Sequence, residues 1–166
     1  MAEMSVYGGP VLNESVSAVT TSPSVNLGER RVHKGNEYVY AYNSGGSSII
    51  AEYGAVFITG ASGYSVAGTL PTDTAGQLAG LVIHATITTG AYGWIMSRGF
   101  SAFNTGNSVM TAEKQPLGPA VGVADKGVAM GVVAANSLGT NAKCGVALDV
   151  NTASGGSGYG MFSTGY

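Results

Sequence analysis

The segment Leu81–Phe103, LVIHATITTGAYGWIMSRGFSAF, holds the chain's single tryptophan and its longest apolar alternation. Successive side chains of a strand point to opposite faces. Leu81, Ile83, Ala85 and Ile87 therefore share one face of a predicted strand, and Val82, His84, Thr86 and Thr88 share the other. Thr89-Gly90-Ala91 interrupts the run. Tyr92, Trp94, Met96 and Arg98 then share a face of a second strand, opposite Gly93, Ile95 and Ser97. Two such runs joined by a short glycine-containing loop predict a β-hairpin at the centre of the core.

The same pattern extends in both directions. Upstream, Glu37–Asn43 (EYVYAYN) sets Tyr38, Tyr40 and Tyr42 on one face. Such tyrosines serve as a core or cross-strand ladder, and Tyr is also a residue of interfaces, because the ring packs while the hydroxyl stays paired. Short strands are predicted at Ile49–Glu52, Ala55–Thr59 and Tyr64–Leu70, with a turn at Pro71–Gly76 and at most one helical turn over Ala75–Leu81. Downstream, strands are predicted at Ser108–Ala112, Ala120–Ala124, Val128–Ala135 and Lys143–Val150, with Pro116–Pro119 as a rigid loop and Tyr159–Tyr166 closing the chain. No segment has the sustained i, i+3, i+4 apolar spacing of a capped helix. About ten short strands separated by turn signals predict an all-β fold, a compact β-sandwich or β-barrel.

Residues Met1–Leu27 differ in character. They carry Ser, Thr, Asn and Pro, with Val16, Val19 and Val25 too sparse for a core strand. They predict an extended N-terminal arm before a single β domain at 28–166, with Pro10 and Pro23 disfavouring helix. Such an arm is either a disordered terminus or a segment laid along a neighbour's surface, and the two are compatible.

Composition narrows the function. Charged residues make up 10% of the 166-residue chain, against about 25% in an average domain. A surface so poor in charge points to cover by a partner, or to a neutral Ser/Thr/Asn-rich exterior. Net charge is −2, and the longest basic feature, Glu29-Arg30-Arg31-Val32-His33-Lys34, is short and mixed. Nucleic acid is therefore not an expected partner. No run approaches the ~20 apolar residues of a membrane span, and MAEMSVYGGP has no signal-peptide pattern. A single cysteine, Cys144, precludes an internal disulfide framework and suits a reducing cytoplasm.

Residues that carry chemistry are sparse. His33 and His84 form no HxH or HxxxH pair, so neither a metal site nor a cofactor is signalled. Cys144 has no CxxC partner and reads as a small buried hydrophobe, although a Cys144–His84 nucleophilic pair stays open. The acids are dispersed, and no GxSxG, Walker or dinucleotide motif occurs. The expectation is a non-enzymatic protein.

Ala91-Tyr92-Gly93-Trp94-Ile95-Met96-Ser97-Arg98-Gly99 resembles the Tyr-Gly-Trp strand of the capsid decoration, or cement, proteins of tailed bacteriophages. Leu81–Thr89 before it, Ala120–Ala124 and Gly131-Val132-Val133 after it, and Leu27-Gly28 with Glu37–Asn43 upstream extend the resemblance over roughly residues 27–150. Its distinctive motif is Tyr92, Gly93, Trp94, Arg98 and Gly99. The resemblance implies a homotrimer on the outer surface of an assembled virion capsid, bridging major capsid protein subunits. Val16, Val19 and Val25 of the arm are then the first interface candidates, and Tyr38, Tyr40 and Tyr42 the second. The alternative is a head-fibre or tail-fibre knob that binds host glycans through Tyr159 and Tyr166.

Overall fold

The computed structural model describes residues 15–58, 63–68, 78–105, 113, 115–120, 127–132, 144–149 and 156–164. The expectations for Met1–Glu14, Pro71–Gly76, Ser108–Ala112, Val121–Ala124, Val133–Ala135, Lys143 and Tyr166 lie outside the described residues.

The fold is all-β. Among the described residues the eleven strands are β1 (Val19–Thr20), β2 (Arg30–His33), β3 (Asn36–Asn43), β4 (Gly54–Phe57), β5 (Ser65–Ala67), β6 (Leu78–Val82), β7 (Tyr92–Asn104), β8 (Pro116–Ala120), β9 (Ala129–Val132), β10 (Gly145–Ala147) and β11 (Ser157–Ser163). They form one mixed sheet. Strand β3 pairs with β5 in parallel, β5 with β4, β4 with β6, β6 with β7, and β7 returns to β3. These pairings close a five-stranded ring, the condition for a barrel. Strands β11, β10, β8 and β9 extend from β7 as a wing.

Alternation along β3 and β7 divides the core in two. Val39 and Ala41 oppose Ile95 and Gly93 and face one way, with Ala55, Val66, Ala79, Val82 and Ala91. A ring of five strands has a narrow interior, so its lining is mostly Ala and Val. Gly93 belongs to this lining, where a Cβ would come within 2.8 Å of Ile87. Tyr38, Tyr40, Trp94, Met96 and Leu81 face the other way and are covered by Phe103, Leu117, Met130, Cys144 and Phe162 of the wing and its approaches.

The hairpin at the centre has the predicted faces on β7 but different limits. Strand β6 begins at Leu78 and stops at Val82, pairing Leu81 with Met96 and Val82 with Ile95. His84 therefore lies in the connection, not in a strand, and Ile87 makes only an isolated bridge to Ile49. Ile49–Glu52 is that bridge followed by a turn, not a strand, and Glu52 has a positive φ of 71°. Pro116–Pro119, expected as a loop, opens β8. Leu117 turns its carbonyl to Cys144 on the β10 side. Pro119, two residues on, turns its missing N–H the same way but past the described β10 pairs, so no ladder bond among the described residues is lost.

The arm also differs from expectation over its described part. Val16 is 5% exposed in the core, and Val19 and Val25 pack against it. Strand β1 pairs Val19 with Gly93 and Thr20 with Tyr92. Ser24 donates through N and Oγ to the Tyr40 hydroxyl, at 3.3 and 3.0 Å, and Thr20 Oγ1 lies 3.1 Å from the same oxygen. Residues 15–27 are thus part of the β domain.

Candidate functional site

Three groupings of side chains come together in the fold. The first is an aromatic ladder across β3 and β7. Tyr40 opposes Trp94 and Tyr42 opposes Tyr92. Ring centroids are 5.1 Å apart for Tyr40–Trp94, 6.1 Å for Tyr40–Tyr92 and 4.7 Å for Tyr42–Tyr92. The Arg31 guanidinium lies 4.5 Å from the Trp94 ring centroid, a cation–π contact. Tyr38 and Tyr40 are buried, as are Val16 and Trp94, whereas Tyr42 and Tyr92 are half-buried. As candidates for an intermolecular surface, Tyr38, Tyr40 and Val16 are therefore corrected to core residues. Their area is already spent inside the monomer.

The second grouping is the outer face of the wing, which β7, β11 and β10 share. Directly opposed residues of a sheet lie on one face. Phe100 opposes Met161, Met161 opposes Val146 and Val146 opposes Pro116, making one apolar row. Ala102 opposes Tyr159, and Leu148 donates its N–H to the Tyr159 carbonyl at 2.8 Å, making the next row. Phe100, Met161, Tyr159 and Leu148 are 49%, 45%, 46% and 41% exposed. Together they offer roughly 300–400 Å² of largely apolar surface, within the range of the largest apolar patch on a typical monomer, which is often functional. Arg98, opposite Ser163, stands at the rim in a 3.7 Å ion pair with Glu37. That pair is exposed and contributes little to stability. From this face a groove of about 740 Å³ runs between Gly35, Glu37 and Arg98 on one side and Cys144 and Gly145 on the other.

Of Tyr92, Gly93, Trp94, Arg98 and Gly99, Gly93 lines the barrel and Trp94 packs outside it, whereas Arg98 and Gly99 shape the edge of the apolar face. Gly99 has φ +136°, and a Cβ there would overlap the Asn36 side-chain amide. Phe100 and Met161 were not singled out from the sequence. The signal was the strict alternation of Ser157–Ser163, in which Gly158, Gly160 and Phe162 face inward and Ser157, Tyr159, Met161 and Ser163 face outward. Tyr159 is exposed as the glycan reading requires, and its N–H bonds Asp149 Oδ1 at 2.8 Å.

The third grouping joins the two histidines, which sequence spacing leaves apart. The Tyr38 hydroxyl is 3.0 Å from His84 Nε2, and the His33 and His84 ring centroids are 6.3 Å apart. Burial, then the charges of His33 and Lys34, hold His84 below the usual imidazole range. Cys144 is elsewhere, its Sγ 3.6 Å from the Leu117 carbonyl, and burial pushes its thiol up to about 12. His84 and Cys144 each bond a different partner and do not form a nucleophilic pair.

No protein-family model matches the chain, and neither does any curated protein or any solved structure.

Proposed function

We propose that this protein is a tailed-bacteriophage capsid decoration protein. In this reading it is non-enzymatic, binds the outer surface of an assembled shell as a homotrimer, and stabilises the shell by bridging major capsid protein subunits. The observation that carries the reading is the exposed apolar face of Phe100, Tyr159, Met161 and Leu148 on a chain with only 10% charged residues. The resemblance of Tyr92–Gly99 to the Tyr-Gly-Trp strand of that family supports it independently.

The size of the face favours a repeated partner. A stable two-body interface needs about 800 Å² per partner, more than this face supplies. A contact of this size becomes effective when many copies act on one lattice, and a ligand that binds only the assembled state stabilises that state by mass action.

The test is co-sedimentation with shells stripped of the protein, comparing wild type with the double variant Phe100→Asp/Met161→Asp at two salt concentrations. Saturable, salt-insensitive binding that the double variant loses is the expected result. Undiminished binding by the variant would move the contact away from this face, and no binding to any shell would overturn the reading. In that event Tyr159 beside Asp149, an aromatic and an acid together at the end of the wing, favours the glycan-binding knob, and a glycan screen follows.

A further inference from the structure

The His33–Tyr38–His84 cluster is not needed by a docking function and has a chemistry of its own. His33 is the last residue of β2, ahead of the tight turn Lys34-Gly35. His84 lies two residues beyond the end of β6. Tyr38, on β3, is bonded to His84 and has its ring centroid 6.5 Å from that of His33. The chain's two histidines thus come from separate elements and meet with rings nearly perpendicular, at 85°.

We propose that His33 and His84 form a surface site for an imidazole-seeking divalent ion of the zinc, nickel and copper group, with Tyr38 as the residue that orients His84. Two physical points favour it. Imidazole nitrogen suits these ions, whereas magnesium and calcium prefer oxygen. A metal-binding histidine commonly donates its second ring N–H to a fixed partner. Here Nε2–H of His84 can donate to the Tyr38 oxygen, leaving Nδ1 as the ligand.

The ring spacing requires a small adjustment. Two imidazoles on a tetrahedral ion, with metal–nitrogen bonds of about 2.0–2.1 Å, place their centroids about 5 Å apart. The observed 6.3 Å must therefore shorten by roughly 1 Å. One ring ends a two-residue hairpin and the other sits in a connection, so side-chain rotation can supply this without moving the barrel. Among the described residues no group of three or more His, Cys, Asp or Glu is gathered. The remaining coordination positions are left to water or to a side chain of a bound partner, and the affinity is that of a two-ligand site.

The experiment is calorimetric titration of the full-length, untagged protein with zinc chloride, nickel chloride and magnesium chloride at pH 7.5. Proton NMR of the imidazole resonances accompanies it. One equivalent of zinc or nickel, no magnesium heat, and shifts confined to the two imidazoles are expected. His33→Gln and His84→Gln should each abolish saturable binding, and Tyr38→Phe should weaken it about tenfold, as loss of an orienting partner does. Circular dichroism of each variant establishes that it is folded. Binding should also disappear at pH 5, where protons compete for the nitrogens. Absence of wild-type binding, or binding that survives either His→Gln change, overturns the proposal.

Discussion

The side-chain amide of Asn36 makes both backbone hydrogen bonds of Phe100. Asn36 Nδ2 donates to the Phe100 carbonyl at 3.1 Å, and Phe100 N–H donates to Asn36 Oδ1 at 3.0 Å. Strand β3 begins at Asn36, so this amide takes the place of a strand residue before it. It fits there only because Gly99 has no side chain and adopts φ +136°. The pair fixes Phe100 at the rim of the apolar face.

Gly99→Ala should therefore destabilise the protein by about 1–3 kcal/mol, since it combines a disfavoured φ with overlap on Asn36. Asn36→Ala, which removes the two bonds without strain, should cost about 1 kcal/mol. Urea denaturation of the two variants checks the order, and Asn36→Ala costing more than Gly99→Ala would contradict this account.

Phe100→Asp and Met161→Asp replace exposed side chains. Each should change stability by less than about 0.5 kcal/mol. A drop in melting temperature of many degrees would mean that the face is covered within the monomer.

Removal of Met1–Glu14 gives the reference protein for a longer truncation. Removal through Leu27 deletes buried Val16, strand β1 and the Ser24 bonds to Tyr40. This longer truncation should cost at least about 2 kcal/mol. Tyr40→Phe isolates one part of that loss and should cost about 0.5–1.5 kcal/mol. Differential scanning calorimetry of the three proteins distinguishes them.

His84 titrates below its ordinary value of 6.5 in the folded chain. The folded state thus binds this proton less readily than the unfolded state. The stability His84 contributes is present above pH 6.5 and is lost as pH falls through the lower folded value. Melting temperature should fall between pH 7 and pH 5, and His84→Gln should flatten that slope. An unchanged slope in the variant would assign the pH dependence to other groups.

Cys144, 6% exposed with its thiol pushed up to about 12, should resist alkylation by iodoacetamide at pH 8 in the native protein. It should react fully in denaturant. Rapid native labelling, followed by mass spectrometry, would contradict this burial.

Much of the architecture was legible in the residues themselves. Period-two alternation marked β3 and β7 and assigned Tyr92, Trp94 and Met96 to one face and Gly93 and Ile95 to the other, because side-chain direction in a strand is a local property. The same alternation did not show that Leu81–Val82 ends a strand, since Ile83–Thr88 continues the pattern after the chain has left the sheet. Prolines at 116 and 119 signalled a loop, and only the strand pairings show that Pro116 opposes Val146 and Pro119 opposes Met130 within the sheet.

What sequence by itself determined is an all-β chain with an aromatic–glycine–aromatic strand at its centre and little charge. Local sterics and hydropathy are sufficient for that. Tertiary structure alone decided which apolar residues remain outside. Tyr38 and Tyr40 are covered by the wing and by residues 15–27, whereas Phe100 and Met161 meet across β7 and β11 with nothing above them among the described residues. It also brought His33 and His84 together through Tyr38. Contacts between residues distant in the chain arise from strand order and register, which no local pattern encodes.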